Sequence, residues 1–395
     1  MSEARECESP QAQLARLDAD GLLRRLTPLE TGGGPVVSRD GREVVNFASN
    51  DYLGLSRHPR VVEAMMDGVR RFGAGAAASR LVCGSLPPHH DLEDALADAK
   101  GGGAALAFSS GYATALGCIP AIVGKGDTVV LDKLSHACLV DAARLSGATL
   151  RVFPHNRADR LAVLLGKIRS GSAGGRVLVV TESVFSMDGD VCPLREIVDL
   201  CDHHGALLWL DEAHATGVRG PQGRGMAQEP GFAGRVHFQM GTLGKALGVA
   251  GGFVVASREW IDVMVNRARA FIYSTAPPPA LAHAAKEALA LSRSAEGDAL
   301  RAKLRGHLAA LGLADHPSVI IPHVLGPNAA ALNASAVLAA AGFLVPAIRY
   351  PTVPRGTARL RVSLSAAHAP EAVAGLRDAL GNIKSGLAKD SWKNP

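Results

Sequence analysis

Five short apolar runs of this chain each end in a polar residue capable of chemistry. "AALAF" is followed by Ser109-Ser110-Gly111, "TVVL" by Asp132 and His136, and "RVLVVT" by Glu182 and Ser186. "ALLWL" runs into Asp211 and His214, and "VHFQMG" into Thr242 and Lys245. So many Ser, Asp, Glu, His, Thr and Lys residues at run ends exceed what a core needs. Lys245 lies in a turn of small residues (Gly241, Thr242, Leu243, Gly244, Ala246, Leu247, Gly248). Shelter from bulk water there lowers an amine's pKa and makes it nucleophilic. A surface turn lysine is the competing reading.

The stretch "LLWLDEAHATG" (207–217) contains the four letters Asp-Glu-Ala-His familiar from nucleic-acid helicases, in which the first carboxylate holds magnesium. That reading needs a G-x-x-x-x-G-K-[ST] loop, whose lysine and hydroxyl serve phosphate and metal. The nearest approach, "GTLGKALG", has Ala246 after Lys245 and lies downstream of the acidic run. "GAGAAA" (73–78) fits a dinucleotide fingerprint by letter but follows a helical stretch, so a small-residue loop is preferred. A carboxylate ending an apolar run is costly unless it has a cationic partner, a helix cap or a structural salt bridge being the plainer reading. A protonated pyridine nitrogen is such a partner, and pyridoxal phosphate (PLP) enzymes pair such an aspartate with a covalently bound lysine. "SSGYA" (109–113) supplies a strand-to-helix turn whose amides can hold a phosphate.

The elements that must position these groups alternate. Strands are expected at 104–110, 128–132, 150–155, 176–182, 206–212, 236–242 and 251–257, with the last one a candidate for antiparallel pairing. Helices are expected at 111–123, 137–146, 157–169 and 193–204. Nearly continuous apolar strands separated by helices imply a largely parallel sheet covered on both faces, with ligands beyond the strands' carboxyl ends. After "STAPPPA" come helices near 279–294, 297–312 and 329–341, then "LVPAIRYPTVP" and "ARLRVSLS", a smaller α+β region. The expected organisation is an arm (1–45), a large α/β domain (46–285) and a small C-terminal α+β domain (286–395).

A chain of 395 residues, 47% hydrophobic, suffices for two domains. Its net charge of +5 comes from 42 basic and 37 acidic residues dispersed along the chain, which argues against a nucleic-acid binder. None of Cys7, Cys83, Cys118, Cys138, Cys192 and Cys201 forms a C-x-x-C pair, so neither a zinc site nor a dithiol motif is expected. No metal site, signal peptide or membrane span is expected, and a cytoplasmic location is.

In order and spacing, "FASNDYLGLS" (47–56), "SRLVCGSLPPHHDLE" (79–93), "FSSGYATA" (108–115), "DKLSHACLVDAARLSGA" (132–148), "TESVFSMDGD" (181–190), "LDEAHATGVRGPQGRG" (210–225), "GTLGKALGVAGGF" (241–253), "FIYSTAPPPA" (271–280) and "AIRYPTVPRGTARLRVSLSAAH" (347–368) resemble PLP enzymes of fold type I, the aspartate aminotransferase fold. More narrowly they resemble the α-oxoamine synthases, which condense an amino acid with an acyl-CoA thioester and lose carbon dioxide. "PTVPRGTARLRVSLSAAH" and "ETGGGP" tilt towards the branch that takes L-alanine and a pimeloyl thioester. The glycine acetyltransferase, 5-aminolevulinate synthase and serine palmitoyltransferase branches share the cofactor machinery and stay open.

The resemblance implies Lys245 as the lysine that carries the cofactor and Asp211 as the partner of its ring nitrogen. It implies His136 stacked on the ring, Ser186 and His214 at the ring hydroxyl, Gly111 and Tyr112 as backbone donors, and Thr242 at the phosphate. Ser274 and Thr275 would reach the phosphate of the other subunit of a homodimer with shared sites. Arg361 would grip the amino-acid carboxylate, and Asn50 and Glu182 would line the reaction centre. Arg24, read as helical, and Thr352 would meet the acyl substrate. Each has a plainer rival: a core histidine for His136, a strand-end carboxylate for Glu182, a solvated charge for Arg24. Glu212 is given no special role, and Pro87-Pro88 is expected to stiffen a loop before His89.

Overall fold

The computed structural model describes residues 8–171 and 174–389, with side chains as far as residue 383. Seven strands form one sheet, labelled here in chain order: β1 Ala104–Phe108, β2 Thr128–Asp132, β3 Thr149–Phe153, β4 Val177–Glu182, β5 Leu207–Asp211, β6 Phe238–Thr242 and β7 Gly252–Ala256. Their order across the sheet is β1-β7-β6-β5-β4-β2-β3. Every pairing is parallel except those of β7, which runs antiparallel to both β6 and β1. The carboxyl ends of the other six strands therefore share one edge.

β1 and β4 are buried at every position, as their unbroken apolar runs require of a sheet covered on both faces. The core on one side gathers Phe108, Ile119, Leu139, Val180, Trp209, Phe238, Met240 and Val254. Helices Gly111–Ile122, Ala137–Leu145, Ala158–Gly171 and Leu194–His204 connect the strands within a residue or two of their expected limits.

The chain divides into two compact units, Asn50–Val319 with Ser365–Ala367, and Met1–Ser49 with Ile320–Leu364 and His368–Pro395. The expected limits were 45/46 and 285/286. Helix Pro279–Ser292 stays with the larger unit because it lies along helices Pro59–Phe72 and Pro87–Lys100. The approach is so close that a Cβ on Gly68 would lie 2.8 Å from Ala280 Cα. Helix Ala295–Ala310 follows it directly.

The smaller unit holds two three-stranded sheets. One pairs Val36–Arg39, Arg42–Asn46 and Phe343–Leu344; the other pairs Ile320–Gly326, Ala358–Ser363 and Ala347–Ile348. Two local expectations change. Arg24 is not helical: helix Pro10–Ala19 ends at Asp20, and Gly21 takes a left-handed φ of 62°. Pro87 and Pro88 do not stiffen a loop. They occupy the first turn of helix Pro87–Lys100, where a missing N–H costs nothing. Cys7 lies outside the described residues. Among the described residues, no helix is long and apolar enough to cross a membrane.

Candidate active site

The shared edge of the sheet assembles the polar strand ends within the larger unit. Asp211 ends β5 and Glu182 ends β4, and the two are register partners, so two carboxylates sit side by side, 5% and 3% exposed. Burial raises the pKa of both. For Asp211, Lys245 and His136 pull it back down, whereas Asp211's own charge pushes Glu182 further up. Lys245 and the His136 backbone N–H pull Glu182 down as well, so both carboxylates are held between burial and a cation. Glu182 Oε1 also accepts the His136 backbone N–H at 2.5 Å, which fixes the start of the His136 turn.

Lys245 rises from a turn that the sequence closes tightly. Thr242 Oγ1 donates to Gly251 O at 2.9 Å and accepts from Gly244 N–H at 3.2 Å, and Gly248 N–H donates to Lys245 O at 2.8 Å. Gly248 needs to be glycine: its φ is 68°, and a Cβ would fall 2.2 Å from Ser56 N. The half-buried Lys245 Nζ lies 2.8 Å from His214 Nε2. His214 Nδ1 lies 2.6 Å from Tyr52 Oη, which in turn donates to Asn50 Oδ1 at 3.1 Å. A continuous chain of polar groups thus runs from the amine to Asn50.

His136 caps helix Ala137–Leu145, its Nδ1 accepting Cys138 N–H at 3.2 Å. That leaves the imidazole proton on Nε2, a donor facing outward. The residue is exposed, but protein crowded around the ring strips away solvent, and this desolvation, with Lys245, lowers its pKa against the pull of Asp211. The ring is neutral near pH 7.

Gly111 and Tyr112 open helix Gly111–Ile122, capped by Ser110 Oγ on Ala113 N–H at 3.0 Å. Close packing demands glycine at position 252. A Cβ on Gly252 would lie 2.4 Å from Gly111 N, and one on Gly111 itself 3.2 Å from Met240 Cε. The exposed Tyr112 hydroxyl donates to Asp141. Ser186 lies in the loop closed by the Val184–Val191 bridge, and Ser274 and Thr275 follow helix Arg269–Ile272, where Thr275 bridges Ser79.

The set fits PLP on its own geometry. Asp211 Oδ1 accepts Ala213 N–H at 2.8 Å, and no described residue hydrogen-bonds Oδ2. That oxygen is left for a further cationic partner beside Lys245, and a protonated ring nitrogen is one. The start of helix Gly111–Ile122, packed closely on Gly252, presents the backbone N–H groups that a phosphate would need.

The remaining expected residues belong to the smaller unit. Arg24 Nη2 donates to Thr352 Oγ1 at 3.1 Å, so two residues 328 positions apart, both expected at the acyl substrate, meet each other. Arg359 and Arg361 are both buried on strand Ala358–Ser363, and Arg361 Nη1 donates to Ser363 Oγ at 2.7 Å.

Three features escaped the sequence reading. Tyr52 was quoted within a motif but given no role. His155 and Asp190 form a cluster with Asp132; His155 closes an expected strand, so the strand-end rule itself pointed to it. Glu212 is the third: it is fully buried, its Oε2 2.8 Å from Lys100 Nζ. It anchors helix Pro87–Lys100 to the segment after β5.

The family model for aminotransferases of class I and II matches residues 42–380. An 8-amino-7-oxononanoate synthase of Anaeromyxobacter dehalogenans (strain 2CP-1) is 50% identical over 379 residues, covering 94% of each chain. Among solved structures, a serine palmitoyltransferase from S. paucimobilis holding PLP and myriocin superposes with a TM-score of 0.88 at 29% identity, over 96% of this chain and 97% of that one. The 8-amino-7-oxononanoate synthase of Francisella tularensis gives 0.72 at 26% identity, over 88% and 98%.

Proposed function

We propose, for a chain that belongs to the class I and II aminotransferase family and is a PLP-dependent acyltransferase of the α-oxoamine synthase kind, one specific reaction. It joins L-alanine to pimeloyl-CoA, or another pimeloyl thioester, releasing the donor's thiol (CoA from the first) and carbon dioxide and forming 8-amino-7-oxononanoate, a step of biotin synthesis. The observation that carries the chemistry is the Lys245–His214 contact at 2.8 Å beside the buried Asp211. The substrate choice is supported by the 50% identical relative of that name. The higher structural score of a serine palmitoyltransferase keeps L-serine and a long acyl donor as the second reading. Identity over nearly the whole chain outweighs it, because shape reports the fold and not the pocket.

When bound, PLP supplies an electron sink for the charge left on the amino acid's α-carbon. Asp211, paired with the ring nitrogen as an anion, would keep a proton there. Lys245 takes the α-proton, and the hydrogen bond to His214, continued through Tyr52, orients the amine and shares its charge. His136 Nε2 donates to the oxygen of the thioester carbonyl as that oxygen becomes negative. Ser186 and His214 hold the ring hydroxyl, Gly111, Tyr112 and Thr242 the phosphate, Arg361 the substrate carboxylate, and Arg24 with Thr352 the acyl chain. Asn50 and Glu182 line the centre. The protein works as a cytoplasmic homodimer, Ser274 and Thr275 serving the other subunit's phosphate.

Coenzyme A release by the purified holoenzyme tests this. L-Alanine with pimeloyl-CoA is compared with glycine plus acetyl- or succinyl-CoA, and with L-serine plus palmitoyl-CoA. Fastest turnover with the first pair is expected; fastest turnover with either of the others overturns the substrate choice.

A further inference from the structure

His155 stands between two carboxylates, with Nδ1 2.9 Å from Asp132 Oδ1 and Nε2 2.7 Å from Asp190 Oδ2. A neutral imidazole has one N–H, so one of these contacts would set a lone pair against a carboxylate. Both are satisfied only if the ring is protonated. The next residue repeats the link: Asn156 N–H donates to Asp132 Oδ2 at 2.9 Å, and Asn156 Nδ2 donates to Asp190 Oδ2 at 2.8 Å. The ring stands edge-on to Phe185, centroids 4.4 Å apart.

Each carboxylate governs a segment bearing a site residue. Asp132 Oδ1 accepts Leu134 N–H at 2.8 Å, and its carbonyl accepts Ser135 N–H at 3.1 Å, shaping the turn that delivers His136. Asp190 closes the loop that carries Ser186: its carbonyl accepts Phe185 N–H at 3.0 Å, and Gly189 N–H donates to Phe185 O at 2.9 Å. Ser318 Oγ holds Gly189 O from the far side at 2.7 Å.

We infer that His155 is a positioning residue, a cationic clamp that holds the Ser186 loop against the ends of β2 and β3 and so sets Ser186 for the cofactor. This rests on the reading of Ser186 as a cofactor contact. Burial acts to lower the His155 pKa, and Asp132 and Asp190 outweigh it, raising it to about 10, so the ring is cationic throughout the physiological range.

The test is a double-mutant cycle read as the dissociation constant of PLP from apoenzyme, by absorbance titration, with thermal melting to confirm folding. Ser186→Ala and His155→Gln are each expected to weaken binding roughly tenfold, and the double variant little more than either, because His155 acts through Ser186. If His155→Gln fails to fold, Asp190→Asn takes its place, since Asp132 still holds the ring. Multiplying effects in the double variant would overturn the clamp while leaving Ser186 a contact. No effect of Ser186→Ala would overturn both.

Discussion

Replacing Lys100 with Met should unfold this protein at a markedly lower temperature. Lys100 is 1% exposed, and its ammonium meets Glu212 Oε2 and Thr216 Oγ1, both at 2.8 Å. Methionine fills similar volume but leaves Glu212 sealed in the interior, its carboxylate partnered only by Ala227 N–H at 3.0 Å. Removing one partner of a buried pair typically costs about 3–5 kcal/mol. In a unit of this size each kcal/mol lowers Tm by roughly 2–4 °C, so a fall of about 10 °C is expected. Differential scanning calorimetry of wild type, Lys100→Met, Glu212→Gln and the double variant measures it. The double variant should recover most of the loss, since it buries two neutral groups that still fit. A single-variant shift below about 2 °C, or a double variant no more stable than Lys100→Met, would show that the Lys100–Glu212 pair does not hold the interior together.

Other consequences are open to measurement. Gly252→Ala forces a Cβ to 2.4 Å from Gly111 N, so the helix start must move; cofactor affinity should fall by at least an order of magnitude, and unchanged titration would show that this helix start is not where phosphate sits. His155 gains its partners only on folding, so its contribution is fully present below the unfolded pKa of about 6.5 and is lost as pH rises through about 10. Wild-type Tm should therefore drop between pH 7 and 10 by more than that of His155→Gln; parallel curves would contradict this. Arg24→Ala and Thr352→Ala remove the two ends of one 3.1 Å hydrogen bond. Each should raise KM for the acyl thioester while leaving PLP binding untouched, and a change in PLP binding would move these residues to the cofactor.

The sheet was legible because its strands are buried on both faces and so are written as unbroken apolar runs. The reversal of β7 was legible from the eight residues between 242 and 251, too few for a helical crossover. The strand-end rule collected Asp211, Lys245, His136, Glu182 and His214, since ligands gather at the carboxyl edge. What stayed hidden depends on contacts between distant segments. Glu212 looked idle because its partner, Lys100, lies 112 residues earlier. Tyr52 acquires meaning only from His214, 162 residues on. The proline pair at 87–88 reads equally as a stiff loop or a helix start, and only packing decides. Arg24 followed a helical pattern that Gly21 cut short.

In the proposed reaction Lys245 carries the cofactor. Holoenzyme reduced with borohydride, digested and analysed by mass spectrometry should show the cofactor's mass on the peptide containing Lys245 and on no other. A label on a different lysine, or none at all, would show that Lys245 does not carry it.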